Sequence, residues 1–386
     1  MSQNAAIALG SRLDAVRAAS AARGLHALVV THGPNVQYLT NLQSSAAIAV
    51  ITPDEVFVFA DGRYTTAFSE LLAAGAGPPG GQLVPVDGSN SYDQTLGQWL
   101  GGQLPGCRVG FEAAYLTVKR HGAVVAAADT GRAAAGAPGV DLEPVEDLVE
   151  PVRAIKDATE VAIFREAARR LSRVAREVLA EAIQPGRTEL DLAADIDHRM
   201  RQAGFERPAF DTIVASGPDS ALPHAHPGER RLAEGELVLL DFGGVHNGYC
   251  VDLTRTTVVG RPVDGLRALY GAVAEAQDAA LAVVRAGASA HDVDGAARAA
   301  LARHGLAETF VHATGHGLGL EIHEAPRVGR AVAGSAPVVL AAGMVITIEP
   351  GAYVPGTGGV RLEDDVLVTE EGGECLTDVP RDERLG

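Results

Sequence analysis

Residues 236–257 read ELVLLDFGGVHNGYCVDLTRTT, which is two apolar runs joined by Asn247 and Gly248. The two central positions of a type I′ turn need positive φ, and asparagine and glycine tolerate it better than other residues. The stretch therefore predicts a β-hairpin in which His246 pairs with Tyr249.

Two acidic residues of this hairpin fall on the same face. In the predicted register Asp241 lies opposite Thr254, and Asp252 is two residues from Thr254 along the same strand. Because side chains alternate between the faces of a strand, both carboxylates point the same way, as diagonal neighbours about 7–8 Å apart. That spacing allows them to share a pair of metal ions.

A second stretch nearer the C-terminus, VITIEPGAYVPGTGGVRLEDDV, repeats the pattern. A five-residue turn, PGTGG, would pair Val354 with Val360. Glu349 would then lie opposite Asp365, and Glu363 would share its face as a diagonal neighbour. Two such hairpins, face to face, would bring four carboxylates to one point.

One histidine completes a candidate set of metal ligands. His316 lies in FVHATGHGLGLEIHEAPR, among glycines that allow close backbone approach, and joins Asp241, Asp252, Glu349 and Glu363. Four carboxylates and one imidazole suit two hard or borderline divalent cations rather than a structural zinc ion. A solvated strand end remains the alternative for any single acid, although Asp241 and Glu349 directly follow apolar runs, where an unpaired charge is costly.

Further histidines flank this set. His312 and His323 lie in the same glycine-rich stretch, and the loop SALPHAH carries His224 and His226. The spacing of a zinc-protease helix, HExxH, is absent. Solvated loop histidines would look the same, and the sequence does not choose between His224 and His226.

Composition narrows the classes of partner. The formal net charge of −17 argues against a nucleic-acid partner held by a basic face. Cys107, Cys250 and Cys375 have neither disulfide-framework nor CxxC spacing. With no signal-peptide pattern and no apolar run long enough for a bilayer, we expect a cytoplasmic protein with no membrane partner.

The order of patterns indicates two domains. HALVVT, AAIAVIT and EVFVFA predict strands of an N-terminal α/β domain over 1–140. Residues 141–157 look like a linker. In 158–386, two predicted helices followed by a strand pair occur twice, which suggests an internal pseudo-repeat.

These motifs carry a family resemblance. They resemble the motifs of the pita-bread metallopeptidases, which are Xaa-Pro dipeptidases (prolidases) and aminopeptidase P, and are most similar to those of bacterial Xaa-Pro dipeptidases. The motifs are SALPH, LLDFGG, YCVDLTRT, ATGHGLGLEIHEAPR, ITIEPGAY and GVRLEDD. NVQYLTNLQSS and DGRYTT resemble their creatinase-type N-terminal domain. The resemblance implies an α+β fold, with a C-terminal pita-bread (creatinase/aminopeptidase) catalytic domain and a smaller α/β N-terminal domain.

The resemblance also implies a role for each matching residue. The metal ligands would be Asp241, Asp252, His316, Glu349 and Glu363. The catalytic residues would be His224, His323 and Glu349. The substrate-binding residues would be His312, Arg327 and Arg361.

The implied reaction is hydrolysis of the Xaa–Pro bond of dipeptides by an enzyme with two divalent metal ions. Mn²⁺ is the expected metal, and Co²⁺ or Zn²⁺ is the alternative. Arg327 favours dipeptides, because it would pair with a free prolyl carboxylate. Aminopeptidase P, which accepts longer Xaa-Pro peptides, is the alternative, and a non-catalytic pita-bread binding module is a remote one. The resemblance further implies a homodimer acting on small peptides.

Overall fold

The computed structural model describes residues 3–136, 138–332, 334 and 336–385, with backbone alone for 3–8, 134 and 135. The chain divides into two compact units, Met1–Arg153 and Ala154–Gly386. Each unit has its own apolar core.

The described part of the first unit is a six-stranded mixed sheet with helices. Its strands are β1 (Ala27–Val30), β2 (Ile48–Ile51), β3 (Val56–Asp61), β4 (Gly81–Val86), β5 (Arg108–Glu112) and β6 (Asp141–Val145). Its helices are α1 (Gln3–Ala22), α2 (Gly33–Thr40), α3 (Thr65–Ala73), α4 (Tyr92–Gln103), α5 (Val118–Ala135) and α6 (Glu150–Ala154), the last ending at the unit boundary. The strand order is β4-β3-β2-β1-β5-β6, and the three strands predicted from the sequence are β1, β2 and β3.

The segment expected to be a linker differs in the structure. Residues 141–145 form β6, which pairs in parallel with β5 at the edge of the sheet. Pro144 lies within this strand, where a proline is tolerated because one side of an edge strand needs no ladder hydrogen bonds. The boundary between the compact units falls after Arg153.

The second unit contains two pairs of helices and several small sheets. Its helices are α7 (Ala158–Glu181), α8 (Glu189–Gln202), α9 (Leu266–Leu281) and α10 (Ala290–Arg303), with short 3₁₀ helices at Gly217–Ala221 and Ala307–Thr309. Its strands are β7 (Arg207–Pro208), β8 (Ile213–Ser216), β9 (Leu237–His246), β10 (Tyr249–Val258), β11 (Gly315–Gly317), β12 (Glu324–Val328), β13 (Val345–Ile348), β14 (Gly351–Val354), β15 (Gly358–Arg361), β16 (Asp364–Val368) and β17 (Gly373–Cys375).

Two antiparallel strand pairs lie at the centre of this unit. The first pair is β9 with β10. The second pair is a longer hairpin: β13 and β14 form one arm, β15 and β16 form the other, and β13 pairs with β16 while β14 pairs with β15. Helix α7 packs on the first pair and on α8, which also contacts β7 and β8. Helix α9 packs on the second pair and on α10, which also contacts β12. Among the described residues, no helix is both long enough and apolar enough to cross a bilayer.

Helices α4 and α5 of the first unit approach each other through glycine. A Cβ at Gly97 would overlap the Val124 carbonyl oxygen and would lie 2.6 Å from the Ala127 Cβ. A Cβ at Gly102, on the same helix, would meet no atom within 4 Å. The contact between the helices therefore depends on the missing side chain at position 97.

We expect Gly97→Ala to lower the free energy of unfolding by about 1–3 kcal/mol, because the added methyl group forces the two helices apart. Gly102→Ala is the matched control and should be neutral or stabilising by up to about 1 kcal/mol, since alanine is the better helix former. Thermal unfolding of both variants measures the difference. Equal stability of the two variants would contradict the close packing.

Candidate metal centre

The first hairpin has the register expected from its turn. Asn247 and Gly248 have φ of 50° and 83°, and Asp241 lies opposite Thr254. Asp241 and Asp252 are buried, and the Oδ1 atom of each has no hydrogen-bond partner among the described residues. Buried, unsatisfied carboxylate oxygens are costly unless a cation or a donor meets them.

The second hairpin does not have the expected register. Its turn contains three residues, 355–357, so Val354 pairs with Gly358 instead of Val360. Gly356 has φ of 79°, the left-handed conformation that makes a three-residue hairpin loop possible. The expectation of a five-residue turn was wrong.

The shorter turn changes which acids face each other. The β13–β16 pair and the β14–β15 pair have the same register, which places Glu349 opposite Glu363 rather than opposite Asp365. Both glutamates lie where the hairpin ladder is interrupted. The Glu349 amide donates to the Thr314 carbonyl (2.7 Å), and the Glu363 amide donates to the Thr254 carbonyl (3.1 Å). These outside partners hold both glutamates at the interruption.

His316 lies on β11 with one ring nitrogen committed. Its Nδ1 is 3.0 Å from the Gly317 carbonyl oxygen and donates to it, so that Nε2 carries the free lone pair of the neutral ring. That Nε2 is 3.9 Å from Asp252 Oδ2 and 3.7 Å from Glu349 Oε1. Burial lowers the pKa of His316 to about 4, which keeps the ring neutral, as a metal ligand must be.

The candidate ligands converge. One ligand atom each from Asp252, His316 and Glu363 lies within 4.8 Å of the others. Two unsatisfied aspartate oxygens, two glutamates and an oriented imidazole form the oxygen-rich donor set that divalent cations such as Mn²⁺ prefer. The residues present therefore fit a pair of divalent cations.

Charge repulsion is large at this centre without cations. Burial raises the pKa of Asp252 well above its usual range, and the neighbouring charge of Asp241 adds to the shift. Burial also raises the pKa of Glu363 strongly, with Asp252 and Glu349 adding to it. Burial raises the pKa of Glu349 to about 8, although Arg361 opposes this shift.

Arg361 is buried and forms an ion pair with Asp241. Its Nε donates to Thr254 Oγ1 (3.1 Å), and that hydroxyl donates to Glu363 Oε2 (2.6 Å). Sequence reasoning predicted that Arg361 contacts substrate; its guanidinium lies against a candidate ligand, and the residue also lines the cavity described below. It links the carboxylates of the two hairpins.

Tyr353 connects this arginine to His312 and was missed from the sequence. Arg361 Nη1 donates to the Tyr353 hydroxyl (2.6 Å), which lies 2.8 Å from His312 Nε2. Because His312 Nδ1 donates to the Ala313 carbonyl (2.8 Å), Nε2 is the acceptor and the tyrosine donates. Burial lowers the pKa of His312 to about 4, so this ring is neutral. The aromatic residue in EPGAY was the available signal.

A cavity of about 550 Å³ opens onto these residues. His224, His226 and His323 are exposed side chains that all line it, so both histidines of the SALPHAH loop reach the site. The ring of His323 lies 4.4 Å from that of His316, centroid to centroid. The cavity therefore brings the candidate ligands and the candidate catalytic histidines to one space.

Arg327 also lines this cavity, at the end of β12. Its side chain is exposed and has no ion-pair partner in the part of the chain that the structure describes. A Cβ at Gly329 would lie 3.2 Å from the Arg327 Cζ, so the guanidinium lies against that glycine. The position suits capture of an anionic group of the substrate.

A buried ion pair on α10 holds the loop that carries His312. Asp294 Oδ2 accepts from Arg298 Nε (2.7 Å), and Arg298 donates to the carbonyls of Phe310 (3.0 Å) and His312 (2.5 Å). The Thr314 hydroxyl donates to Asp294 Oδ1 (2.8 Å). Nothing in the sequence near the motifs marked this pair, because its role depends on long-range contacts.

Comparison with known proteins places the chain in a family. Residues 162–370 match metallopeptidase family M24, and residues 12–155 match the creatinase/prolidase N-terminal domain. The chain belongs to metallopeptidase family M24. The expected family and the expected α+β fold with a smaller N-terminal domain are confirmed.

Individual relatives cover most of the chain. The uncharacterized peptidase YqhT of Bacillus subtilis is 35% identical over 375 residues, which is 96% of this chain and 99% of the relative. An Xaa-Pro dipeptidase of Pyrococcus furiosus is 41% identical over 242 residues, or 63% of this chain and 68% of the relative.

Solved structures agree. The Xaa-Pro dipeptidase from Bacillus anthracis has a TM-score of 0.86 at 33% identity, covering 96% of this chain and 98% of that one. The X-Pro aminopeptidase from Thermotoga maritima has a TM-score of 0.81 at 28% identity, with the same coverage of 96% and 98%. The chain is similar over nearly its whole length to both kinds of enzyme.

Removal of metal should make stability fall as pH rises above neutrality. Between pH 7 and 9, His312 and His316 are neutral in the folded and unfolded states, because their folded pKa values are about 4. The raised pKa of Glu349, about 8, means that the folded metal-free protein binds more protons than the unfolded chain. Its free energy of unfolding should therefore fall by about 1 kcal/mol per pH unit.

Thermal unfolding of chelator-treated protein at pH 7, 8 and 9 tests this dependence. The same protein loaded with Mn²⁺ is the control and should lack the decline, because bound cations hold the carboxylates ionised. A metal-free protein that gains stability over this range would contradict the burial of these charges.

Loss of the α10 ion pair should impair catalysis more than stability. Arg298→Gln removes the donors to the carbonyls of Phe310 and His312, so kcat should fall about 10- to 100-fold, as for other residues that support the residues of a metal site. Arg303→Gln, on the same helix but in an exposed pair with Glu275, is the matched control. Metal content and kcat of both variants distinguish a displaced His312 loop from an unfolded protein. Equal activity of the two variants would contradict the role of the Asp294–Arg298 pair in holding this loop.

Proposed function

We propose that this protein is a metal-dependent Xaa-Pro dipeptidase. The observation that carries the proposal is one cavity lined by four carboxylates, three of them buried, by His316 and by the exposed Arg327, which has no ion-pair partner among the described residues. The similarity to Xaa-Pro dipeptidases of Pyrococcus furiosus and Bacillus anthracis supports it.

We propose that the cations are held by the five residues predicted from the sequence, Asp241, Asp252, His316, Glu349 and Glu363. Two divalent cations bound there would supply Lewis-acid activation of water and of the scissile carbonyl at neutral pH. Mn²⁺ fits the carboxylate-rich set best, and Co²⁺ or Zn²⁺ would also be accepted.

The remaining residues bind, orient and move protons. Glu349 accepts at a carboxylate oxygen the proton that the attacking water loses and delivers it to the prolyl nitrogen. His224 and His323 donate hydrogen bonds to the oxyanion that develops on the carbonyl oxygen. His312, which burial keeps neutral and the hydrogen bond from Tyr353 orients, faces the substrate, and Arg327 binds the prolyl carboxylate.

Proline makes this separate machinery necessary. Its nitrogen is tertiary and its ring is bulky, so an Xaa–Pro bond fits poorly in sites built for ordinary peptide bonds. In the open cavity, Arg327 recognises the terminal carboxylate of a short substrate, so that selection does not depend on hydrogen bonds to the substrate backbone.

The second candidate is aminopeptidase P activity on longer Xaa-Pro peptides. The likeness to the X-Pro aminopeptidase of Thermotoga maritima favours it. A non-catalytic binding module would not be expected to retain all five candidate ligands. We further propose that the protein is a cytoplasmic homodimer that acts on small peptides.

Asp252→Ala and Glu363→Ala test the ligand assignment. Each removes an oxygen donor from the converging set, so bound metal should fall below one ion per chain and Xaa-Pro hydrolysis should drop at least about 1,000-fold. Metal analysis and kcat/KM in Mn²⁺ measure the two effects. Asp264→Ala, an exposed acid outside the cavity, is the control. Near-normal turnover of either ligand variant would show that the assignment is wrong.

A further inference from the structure

A second cavity, of about 310 Å³, adjoins the candidate active site. His312 and Arg327 line both cavities, so the two spaces meet at these side chains. The second cavity lies between the loop around residues 307–312 and the segment that follows β12. We call it the adjoining cavity.

One wall of the adjoining cavity is cationic. Arg330 lines it together with Arg327, and both side chains are exposed. Neither guanidinium has a hydrogen bond or ion pair with any residue that the structure describes. Glu308 is a carboxylate in the same lining, but the two unpaired arginines outnumber it. Arg298, also in the lining, is already paired with Asp294.

The loop around residues 307–312 adds apolar surface to the same cavity. Val311 lines it with 68% of its surface exposed, and Ala307 and Phe310 line it too, next to the polar side chains of Glu308 and His312. Unpaired guanidinium groups together with some apolar surface suit an amino-acid residue that carries a free carboxylate.

The two arginines lie in sequence on one anchored segment. Val328 and Gly329 separate Arg327 from Arg330, and the Gly329 carbonyl oxygen lies 2.7 Å from His291 Nδ1 of α10. The Arg327 guanidinium lies against Gly329, at the junction of the cavities. Arg330 lines the adjoining cavity but not the larger one. The segment therefore offers a cation at the junction and a second one farther from the metal centre.

We propose that the adjoining cavity binds the residue after proline in Xaa-Pro-Xaa tripeptides, with Arg330 as the partner of the tripeptide's terminal carboxylate. This inference rests on the proposed peptidase function. In a dipeptide the negative charge is on proline and meets Arg327. In a tripeptide that carboxyl group is an uncharged amide, and the charge moves along by one residue, about 3.5 Å of extended chain.

The experiment removes the charge from each side of the interaction in turn. The value of kcat/KM is measured for Ala-Pro-Ala and for its C-terminal amide, and for Ala-Pro and its amide, with wild type, Arg330→Gln, Arg327→Gln and Arg285→Gln. Arg285 is exposed and lies outside both cavities, so its variant controls for the change in net charge.

We expect wild type to prefer the tripeptide acid over its amide by about three- to tenfold, the range for a partly exposed charged pair. Arg330→Gln should bring that ratio close to one while leaving the acid-to-amide ratio of the dipeptide near the wild-type value. Arg327→Gln should lower the dipeptide ratio, and Arg285→Gln should change neither. A tripeptide ratio of one in wild type, or one that survives in Arg330→Gln, would overturn the proposal.

Failure of the proposed function would look different. If wild type hydrolysed neither substrate, the dipeptidase proposal would fail; if it hydrolysed only Ala-Pro, that proposal would stand. In either case, calorimetric binding of the tripeptide acid and amide to wild type and Arg330→Gln would measure the charge preference. Equal binding of acid and amide to wild type would then overturn the subsite.

Discussion

The close placement of four carboxylates, three of them buried, is the constraint on which the second unit depends. Asp241, Asp252, Glu349 and Glu363 come from two hairpins and lie around one point, where burial and the neighbouring negative charges raise the pKa of the last three. Among the described residues, one guanidinium, that of Arg361, forms an ion pair with this group, through Asp241. One positive charge does not offset four negative ones, so the arrangement is stable with ionised carboxylates when divalent cations supply the rest of the charge.

The backbone solves the geometric side of the same problem. A regular hairpin would place Glu349 and Glu363 in the ladder with their amides satisfied by each other's strand. Here the ladder is interrupted, and the amides bond to Thr314 and Thr254 instead. Both glutamate amides still have a partner, which is the condition for an interruption inside a core. The outside partners also connect the glutamates to the first hairpin and to the loop that α10 holds.

The separation along the sequence of the residues that determine a feature explains whether that feature could be predicted from the sequence. The register of the first hairpin followed from Asn247 and Gly248, because a two-residue turn fixes pairing locally. PGTGG was compatible with turns of three or five residues, and contacts distant in sequence decided between them. Tyr353 and the Asp294–Arg298 pair were missed for the same reason. Asp241 and Glu349 could be singled out as candidate ligands because they directly follow apolar runs, where an unpaired charge is costly.

Catalysis and specificity depend on physically different surroundings in this unit. The metal-centre residues are buried and coupled, so a change at one of them alters the charge balance of all. Arg327 and Arg330 are exposed and make no ion pair among the described residues, so their charge is free to act on a substrate, and replacing it costs little stability. Under the roles proposed for Arg327 and Arg330, one exposed side chain therefore alters the selection between dipeptides and longer peptides, whereas a change among the candidate metal ligands alters the hydrolysis itself.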